Sequence, residues 1–299
     1  METRQKKTKV VGGLALAGLL VLSLFAVAGN LEPTAPPGPT MKTLDQVEPR
    51  IPIGQADIPK TIDTPGSYYL TEDISSAGTA ITVAVDDVTI DLAGFALVGP
   101  GSGTNYGIYM DGRSNMEIRN GTVRNFLYGI YENSSSGLGH RVIDVRAISN
   151  GSRGIYLSGS GHLVKSCTAG NNGTSATGTV YGIYAGSGST VTGNTAYRNG
   201  TVANGTVYGI CAGYGNTVTG NTTYINGGSA SGNVNGIYAN SGCTVTGNTA
   251  YNNGVGATGN TYGIYLFGNC LVDQNTAYNN GVTNMYKPAN CTYGVNYAP

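Results

Sequence analysis

The chain has 299 residues, of which 48 are glycine, none is tryptophan and 11% are charged; this composition is unusual for a compact α/β enzyme. Hydrophobic residues still make up 40%, which argues against disorder over most of the chain. The formal net charge is zero, whereas nucleic-acid binding requires a basic stripe, so we expect no nucleic-acid partner.

The first 28 residues have the features of a signal peptide. A basic segment at 4–9 precedes an apolar run at 10–28, which ends in the small-x-small sequence Ala26-Val27-Ala28. Cleavage after Ala28 would leave 12 basic and 15 acidic residues. An uncleaved membrane anchor is the alternative, because the run is just long enough to span a bilayer. The cleavage-like end favours export, and we expect a secreted or cell-envelope protein, periplasmic or extracellular.

Residues 29–58 are rich in proline and predict an extended leader or linker. From Thr61 the pattern changes to short strands, in which apolar residues mostly alternate with small or polar ones between glycine, asparagine and aspartate. No amphipathic helix of ten residues follows the leader. We therefore expect one all-β domain over 59–299.

A repeated phrase dominates this domain. Gly-Ile-Tyr recurs with its glycine at steps of 22 to 28 residues, a length that accommodates three short strands and three turns. The markers are Gly107, Gly129, Gly154, Gly182, Gly209, Gly236 and Gly263. Additional residues collect between each Asn-Gly and the next Gly-Ile, so one turn per coil should carry a loop. The pattern predicts a parallel β-solenoid.

Successive side chains of a strand point to opposite faces of the sheet, so the sequence predicts which residues of each coil face the core. Ile183 and Val191 should point into the core and stack on their equivalents 27 residues away, with Ala196 on a narrow third wall. Asn194 and its equivalents lie at a turn. An in-register asparagine column there would satisfy buried turn backbone by hydrogen bonds from coil to coil.

The Gly-Ile-Tyr strands, the Val-Thr-Gly-Asn-Thr segments and the asparagine column resemble the right-handed parallel β-helix of the pectate-lyase-like superfamily, over about residues 60–299. The segment 61–97 resembles the first coils of many secreted bacterial members. The resemblance implies a single right-handed parallel β-helix with three short strands per coil. It implies little about function, since the superfamily includes lyases, hydrolases, epimerases, adhesins and tailspikes.

The best-known enzymes of this superfamily carry motifs that are missing here. Lyases use calcium-binding carboxylates and a basic residue, but only Arg198, Asp273 and Lys287 are charged after Cys167. The Gly-His-Gly and Arg-Ile-Lys strings of galacturonan hydrolases and the signature of alginate epimerases are absent. We expect no metal site or cofactor, and Ca²⁺ only if the protein is a lyase.

Charged residues concentrate in the earlier coils, at 111–165. They supply catalytic candidates if neighbouring coils bring them together, or they are the ordinary solvated faces of less regular coils. The candidates are Asp111, Arg113, Glu132, His140, Arg141, Arg153, His162 and Lys165.

One column stands two residues before each core valine and contains His140, His162, Ser189, Asn216, Cys243 and Cys270. Neighbouring coils lie about 4.8 Å apart, so the histidines should stack, either as a proton relay or half a metal site or as two turn histidines. The same spacing fits a disulfide between Cys243 and Cys270 in an exported protein. Cys167, Cys211 and Cys291 have no assigned partner.

Tyrosines follow the core isoleucines and should point outward. Stacked tyrosines suit the apolar faces of sugar rings, and they also stabilise neighbouring strands; both roles can hold at once. The predicted ligand-binding residues are Tyr109, Tyr131, Tyr156, Tyr184, Tyr238 and Tyr265. A second row is Tyr197, Tyr224, Tyr251 and Tyr278.

Threonine pairs flank three of the core valines, at 190/192, 217/219 and 244/246. Such rows resemble ice-binding surfaces, although the strand propensity of threonine explains them without a ligand.

Three hypotheses follow. The first is an exported β-helix that binds polysaccharide or acts as a cell-surface structural module. The second is a polysaccharide lyase or glycoside hydrolase that uses the charged residues at 111–165. The third, of lower weight, is an ice-binding protein. In all three hypotheses the protein contacts a membrane only if its N-terminal segment remains uncleaved.

Overall fold

The computed structural model describes residues 49–299. The predicted signal peptide at 1–28 and most of the leader lie outside the described residues. No helix in 49–299 is long and apolar enough to cross a membrane.

The described chain is a succession of short strands with a single turn of 3-10 helix at Gln55–Asp57. In the first coils the strands are β1 (Ile51–Ile53), β2 (Lys60–Ile62), β3 (Gly66–Leu70), β4 (Ile74–Ser75), β5 (Ile81–Val83), β6 (Val88–Asp91), β7 (Ala96–Val98), β8 (Tyr106–Tyr109), β9 (Glu117–Arg124), β10 (Tyr128–Glu132), β11 (Arg141–Ile148), β12 (Arg153–Ser160), β13 (Leu163–Lys165) and β14 (Thr168–Gly170).

The later coils repeat one pattern of three strands. They are β15 (Val180–Ser187), β16 (Thr190–Thr192), β17 (Thr195–Tyr197), β18 (Val207–Ala212), β19 (Thr217–Thr219), β20 (Thr222–Tyr224), β21 (Val234–Ala239), β22 (Thr244–Thr246), β23 (Thr249–Tyr251), β24 (Thr261–Leu266), β25 (Leu271–Asp273), β26 (Thr276–Tyr278), β27 (Thr283–Tyr286) and β28 (Thr292–Tyr293).

These strands form two parallel sheets wound around one core. A 10-stranded sheet runs β2-β5-β8-β10-β12-β15-β18-β21-β24-β27, and an 18-stranded sheet takes the other strands of each coil. The fold is a right-handed parallel β-helix, as the sequence predicts. The predicted register is confirmed, since Ile183 pairs with Ile210 and Val191 with Val218.

The core is a continuous column of isoleucine, valine, leucine and alanine side chains along the axis of the β-helix. Ile183, Val191 and Ala196 are fully buried, as predicted. At about 25 cal/mol per Å² of apolar surface removed from water, this column is the main source of stability. A second apolar cluster under the loops at 174–179, 201–206 and 228–233 includes Val180, Ala203 and Val207.

Two asparagine ladders hold the turns. In the predicted ladder, the side-chain oxygen of each asparagine accepts from the backbone N–H of its equivalent in the preceding coil. Asn194 thus donates to Asn221 over 2.9 Å, and Cys167 donates to Asn194 over 2.8 Å. A second ladder, which is not predicted from the sequence, repeats this geometry; the backbone N–H of Asn172 donates a hydrogen bond to the side-chain oxygen of Asn199 over 3.1 Å. Both ladders satisfy buried backbone groups that would otherwise be unpaired.

The first strand lies within the segment assigned to the leader. β1 pairs with β3 from Ile51 to Ile53, so the β-helix includes residues that precede position 59. At the other end, β28 and the bridge from Thr276 to Tyr297 continue the 18-stranded sheet.

Candidate functional site

The outer side of the 10-stranded sheet carries two parallel columns of tyrosine rings, which we call the tyrosine face. Column A follows the core isoleucines, or Met285 in the last coil, and consists of Tyr109, Tyr131, Tyr156, Tyr184, Tyr238, Tyr265 and Tyr286. Column B precedes the strand glycines and consists of Tyr106, Tyr128, Tyr181, Tyr208 and Tyr262.

Glycine is the reason that both tyrosines of Tyr-Gly-Ile-Tyr face outward. Gly182 and Ile183 are both buried, while Tyr181 and Tyr184 are half-buried, so strict alternation breaks at Gly182. A Cβ atom at Gly182 would lie 2.5 Å from the carbonyl oxygen of Gly209 and 2.7 Å from Asn199 Nδ2. Only glycine fits between the strand and the second asparagine ladder, because any side chain would collide with backbone.

Rings within and between the columns are in contact. In column A, Tyr156 and Tyr184 stack at 4.5 Å, and Tyr238 and Tyr265 stack at 5.4 Å. In column B, Tyr181 and Tyr208 stack at 5.1 Å. The two columns also touch, as Tyr181 meets Tyr184 edge-on at 5.4 Å. The spacing of the coils is close to the optimum for aromatic pairs, so the face is rigid and preformed.

Burial keeps the hydroxyl groups of four central tyrosines of the face neutral under physiological conditions. Burial raises the pKa of Tyr184 and of Tyr238 to about 12. Burial also raises the pKa of Tyr181 and Tyr208 in column B. The face is therefore an amphipathic surface of neutral rings and hydroxyl groups.

Three residues interrupt the columns, and each interruption has a different outcome. Arg153 takes a column B position between Tyr128 and Tyr181. Its guanidinium lies 4.1 Å from the ring centre of Tyr156, within 5.6 Å of three further rings, and donates to the hydroxyl of Tyr131 over 3.2 Å. It places one positive charge in the face by cation–π contact.

Cys211 interrupts column A between Tyr184 and Tyr238. Its thiol is buried, and burial raises the pKa of Cys211. Tyr208 leans into this position and meets Tyr238 edge-on at 5.5 Å. The gap in the column is therefore closed by the neighbouring ring.

Asn235 interrupts column B between Tyr208 and Tyr262, and here the gap stays open. A cavity of about 280 Å³ lies over it, lined by both of these tyrosines, by Tyr238 and Tyr265, and by the exposed ring of Phe267 at its rim. This volume is just below the range of about 300–1,000 Å³ that is usual for small-ligand sites. Neither column B nor this cavity is predicted from the sequence.

The structure places the predicted catalytic candidates on different elements. His140, His162 and Glu132 are fully buried at 0–1% exposure, so a polymer in solvent cannot contact their side chains. Arg153 lies in the tyrosine face. Arg141 and Lys165 are exposed on the 18-stranded sheet.

Three of the polar candidates make hydrogen bonds with backbone groups. The Glu132 carboxylate accepts from the backbone N–H of Ser134 over 2.5 Å and of Gly159 over 2.9 Å, and burial raises its pKa. Asp111 accepts from the backbone N–H of Asn133, and Arg113 donates to the backbone oxygen of Ala84. These contacts are those of structural residues.

On the 18-stranded sheet Arg141 belongs to a surface ion-pair network. It bonds Glu117 over 2.8 Å, and Glu117 also bonds Arg119 over 2.9 Å. Arg119 in turn bonds Asp91. Pairs of this exposure contribute little to stability.

The predicted histidine column is present. The rings of His140 and His162 stack at 4.9 Å and 4°. The Nδ1 atom of His140 accepts from the backbone N–H of Met116, and that of His162 accepts from the backbone N–H of His140, while each Nε2 atom is buried without a partner. Burial lowers the pKa of His140 to about 4 and of His162 to about 3. Both rings are therefore neutral.

The same column continues to the cysteines. All five are free thiols in the structure, so the disulfide between Cys243 and Cys270 is not formed there and stays a prediction. The hydrogen bond between these two thiols raises the pKa of Cys243 and lowers that of Cys270. In 49–299 no three histidine, cysteine or carboxylate side chains come together to hold a metal ion.

Two further predicted rows lie on the 18-stranded sheet. Column C, which consists of Tyr197, Tyr224, Tyr251 and Tyr278, stacks at 5.2–5.4 Å. The threonine row is in register from Thr190 to Thr217 and Thr244, and it ends at Leu163 and Leu271.

Comparisons with known proteins support the fold. The sequence profile of the family described as "Periplasmic copper-binding protein (NosD)" matches residues 81–298. No curated protein is significantly similar in sequence. Among solved structures, the A-module of mannuronan C-5 epimerase AlgE4 from Azotobacter vinelandii superposes with a TM-score of 0.56 at 14% identity, over 83% of this chain and 85% of that one.

Two other solved structures align less closely. The Dettilon tailspike protein gp208 has a TM-score of 0.48 at 16% identity, over 83% of this chain and 59% of that one. Pectate lyase Pel9A has a TM-score of 0.43 at 15% identity, over 78% and 69%. At 14% identity the likeness to the epimerase A-module indicates a common fold and not a common activity.

Proposed function

The chain belongs to the family described as periplasmic copper-binding protein (NosD), and from this premise we propose that it is an exported, periplasmic β-helix protein that binds polysaccharide on its tyrosine face. The observation that carries the proposal is the pair of contacting ring columns across the 10-stranded sheet, with rings 4.5–6.3 Å apart along column A.

A polymer fits this face better than a small molecule. The columns extend from Tyr106 in β8 to Tyr286 in β27, so they present a repeated surface rather than a single pocket. Stacked tyrosines offer flat apolar area for sugar rings, and their neutral hydroxyl groups can bond sugar hydroxyls. Because the rings already contact one another, little side-chain entropy is lost on binding.

The stabilisation of neighbouring strands could by itself explain the tyrosines of all three columns, since the rings stack in columns A, B and C alike. The tyrosine face differs from column C in three ways. Its columns lie side by side, it carries the charge of Arg153, and it contains the cavity at Asn235. These features favour a ligand on this face, although the stacking also stabilises the sheet.

Copper is not part of the proposal, despite the description of the family. In 49–299 the two histidines lie at one end of a column that has Cys243 and Cys270 at its other end, whereas Cys167 lies in an asparagine ladder and Cys211 in column A. Each His Nδ1 is occupied by a backbone N–H, and the thiols of Cys243 and Cys270 contact backbone carbonyl oxygens. No cluster of three donors forms among these residues, so the side chains do not fit a copper centre as they are arranged.

The experiment is a screen of purified residues 29–299 against immobilised neutral and acidic polysaccharides, in which bound protein and released products are measured together. We expect retention on at least one polysaccharide, lost in the Y184A/Y238A/Y265A variant. If no polysaccharide in a broad panel retains the protein, polysaccharide binding is excluded and a purely structural module remains. Unsaturated or shortened products would instead support the lyase or hydrolase hypothesis.

A further inference from the structure

The cavity at Asn235 is a position in column B where a tyrosine ring is missing. The neighbouring positions in the column are Tyr208 and Tyr262, one coil away on either side. Their backbones are therefore separated by about 9.6 Å, which is twice the strand spacing. This distance leaves room for one six-membered ring between two aromatic walls.

The floor of the cavity is an unpartnered polar group. Asn235 is 6% exposed, and its carboxamide makes no hydrogen bond within 49–299, whereas the ladder asparagines of the same coil are fully bonded. The residue lines the cavity, where a ligand or water can satisfy its carboxamide. Its donor and acceptor are both available to the cavity.

The edge of the cavity supplies further hydrogen-bonding groups. Asn233 and Asn260 lie on successive coils, and the side-chain oxygen of Asn233 accepts from the backbone N–H of Asn260 over 3.0 Å. This bond fixes the Asn233 side chain and leaves its NH₂ group free to donate. None of the described residues that line the cavity is charged.

From these observations we infer that the cavity is a subsite for one neutral sugar residue, which inserts between Tyr208 and Tyr262 and bonds the Asn235 carboxamide through its hydroxyl groups. The assignment rests on the proposed function of the tyrosine face. It selects neutral over acidic sugars, because a carboxylate here would lose hydration without gaining a positive partner.

Asn235→Tyr is the direct test, because it completes column B and fills the cavity. Tyrosine occupies the equivalent position at Tyr208 and Tyr262, so the fold should accept it. Thr283→Tyr is the matched control. It adds a tyrosine at the next column B position after Tyr262 and leaves the cavity open. Asn235→Leu removes the hydrogen bonds at similar volume.

Binding of neutral hexasaccharides (maltohexaose, cellohexaose and xylohexaose) and of hexamannuronate would be measured by titration calorimetry, with melting curves as the folding control. We expect a neutral hexasaccharide to bind wild type, to bind Asn235→Tyr at least tenfold more weakly and Asn235→Leu several-fold more weakly, and to bind Thr283→Tyr within twofold of wild type.

Other outcomes overturn the assignment and separate it from the proposed function. Equal neutral binding by wild type and Asn235→Tyr excludes the subsite but leaves the face as the binding surface. Binding of hexamannuronate alone does the same. Failure of the wild type to bind any saccharide or immobilised polysaccharide excludes both.

Discussion

The side-chain oxygen of Asn221 accepts two hydrogen bonds from Asn194, one from its backbone N–H at 2.9 Å and one from its carboxamide at 3.0 Å. The Asn221 carboxamide in turn donates to the backbone oxygen of Val191 and to Asn248. A single side chain thus joins three successive coils at a turn. All these residues are buried.

Replacing Asn221 with alanine should destabilise the β-helix strongly. Both donors of Asn194 and the carbonyl of Val191 would lose a partner in a buried site, and each such loss costs about 1–3 kcal/mol. We expect the free energy of unfolding to fall by roughly 3 kcal/mol or more, measured by urea denaturation. Asn204→Ala is the control, since Asn204 is exposed and should change stability by less than about 0.5 kcal/mol. Similar losses in both variants would contradict the role of the ladder.

The stability of the protein should fall in acid because of the two stacked histidines. Their folded pKa values, about 4 and about 3, lie below the usual 6.5. Between pH 6.5 and 4 the unfolded chain therefore binds protons that the folded chain does not. Stability is fully present above pH 6.5 and declines as the pH falls, by roughly 3 kcal/mol per histidine at pH 4.

The matched variant for this effect is H140N/H162N. Asparagine already occurs in this column as Asn216, whose side-chain oxygen accepts a hydrogen bond from the backbone N–H of Ser189 over 2.7 Å. The double variant should keep the turn hydrogen bonds and show a much flatter dependence of unfolding free energy on pH. An unchanged pH slope would mean that the carboxylates dominate acid unfolding and that the histidines contribute little.

Cys243 and Cys270 should form a disulfide when the protein is exported into an oxidising compartment. They occupy equivalent positions on neighbouring coils, the separation fits the bond, and their thiols already interact. Peptide mapping after alkylation without reductant should recover a linked peptide. Recovery of both residues in alkylated form from oxidised protein would refute the pairing, and a link from Cys270 to Cys291 would reassign it.

Arg153→Tyr should complete column B at its other interruption. The guanidinium makes four cation–π contacts, and a tyrosine there would replace them by ring stacking of similar strength, about 0.5–1.5 kcal/mol. We expect a melting temperature close to wild type and weaker binding of acidic polysaccharides, with the binding of neutral polysaccharides unchanged. Unchanged binding of acidic polysaccharides would show that Arg153 is structural.

The regular half of the fold can be predicted from the sequence because its core and turn residues repeat at a constant interval. Equal spacing of Ile183, Val191 and Asn194 with their equivalents determines the register, the core and one ladder directly. The second ladder, which includes Asn172, is not predicted because an Asn-Gly pair by itself indicates the start of a loop. Its function becomes visible only when the coils are stacked.

The binding surface was less accessible to sequence reasoning. Alternation from Ile183 places Tyr181 inside, and only the loss of a side chain at Gly182 turns both tyrosines outward. The recurrence of tyrosine before glycine at 106, 128, 181, 208 and 262 was the available signal. The cavity at Asn235 lies where a tyrosine ring is missing from column B, and no sequence motif marks it. The charged candidates at 111–165 do not converge, because Glu132 is buried against turn backbone while Arg141 and Lys165 are exposed on the 18-stranded sheet. Composition does not show these differences.

Polysaccharide binding by the tyrosine face is tested most directly by a comparison of two matched triple variants. Y184A/Y238A/Y265A removes three rings from column A, and Y197A/Y224A/Y251A removes three equally stacked, half-buried rings from column C on the 18-stranded sheet. Affinity for the polysaccharide found in the screen would be measured for both, at a temperature where both are folded. We predict at least a tenfold loss for the column A variant and less than a twofold change for the column C variant. Equal losses, or wild-type binding by the column A variant, would contradict polysaccharide binding by the tyrosine face.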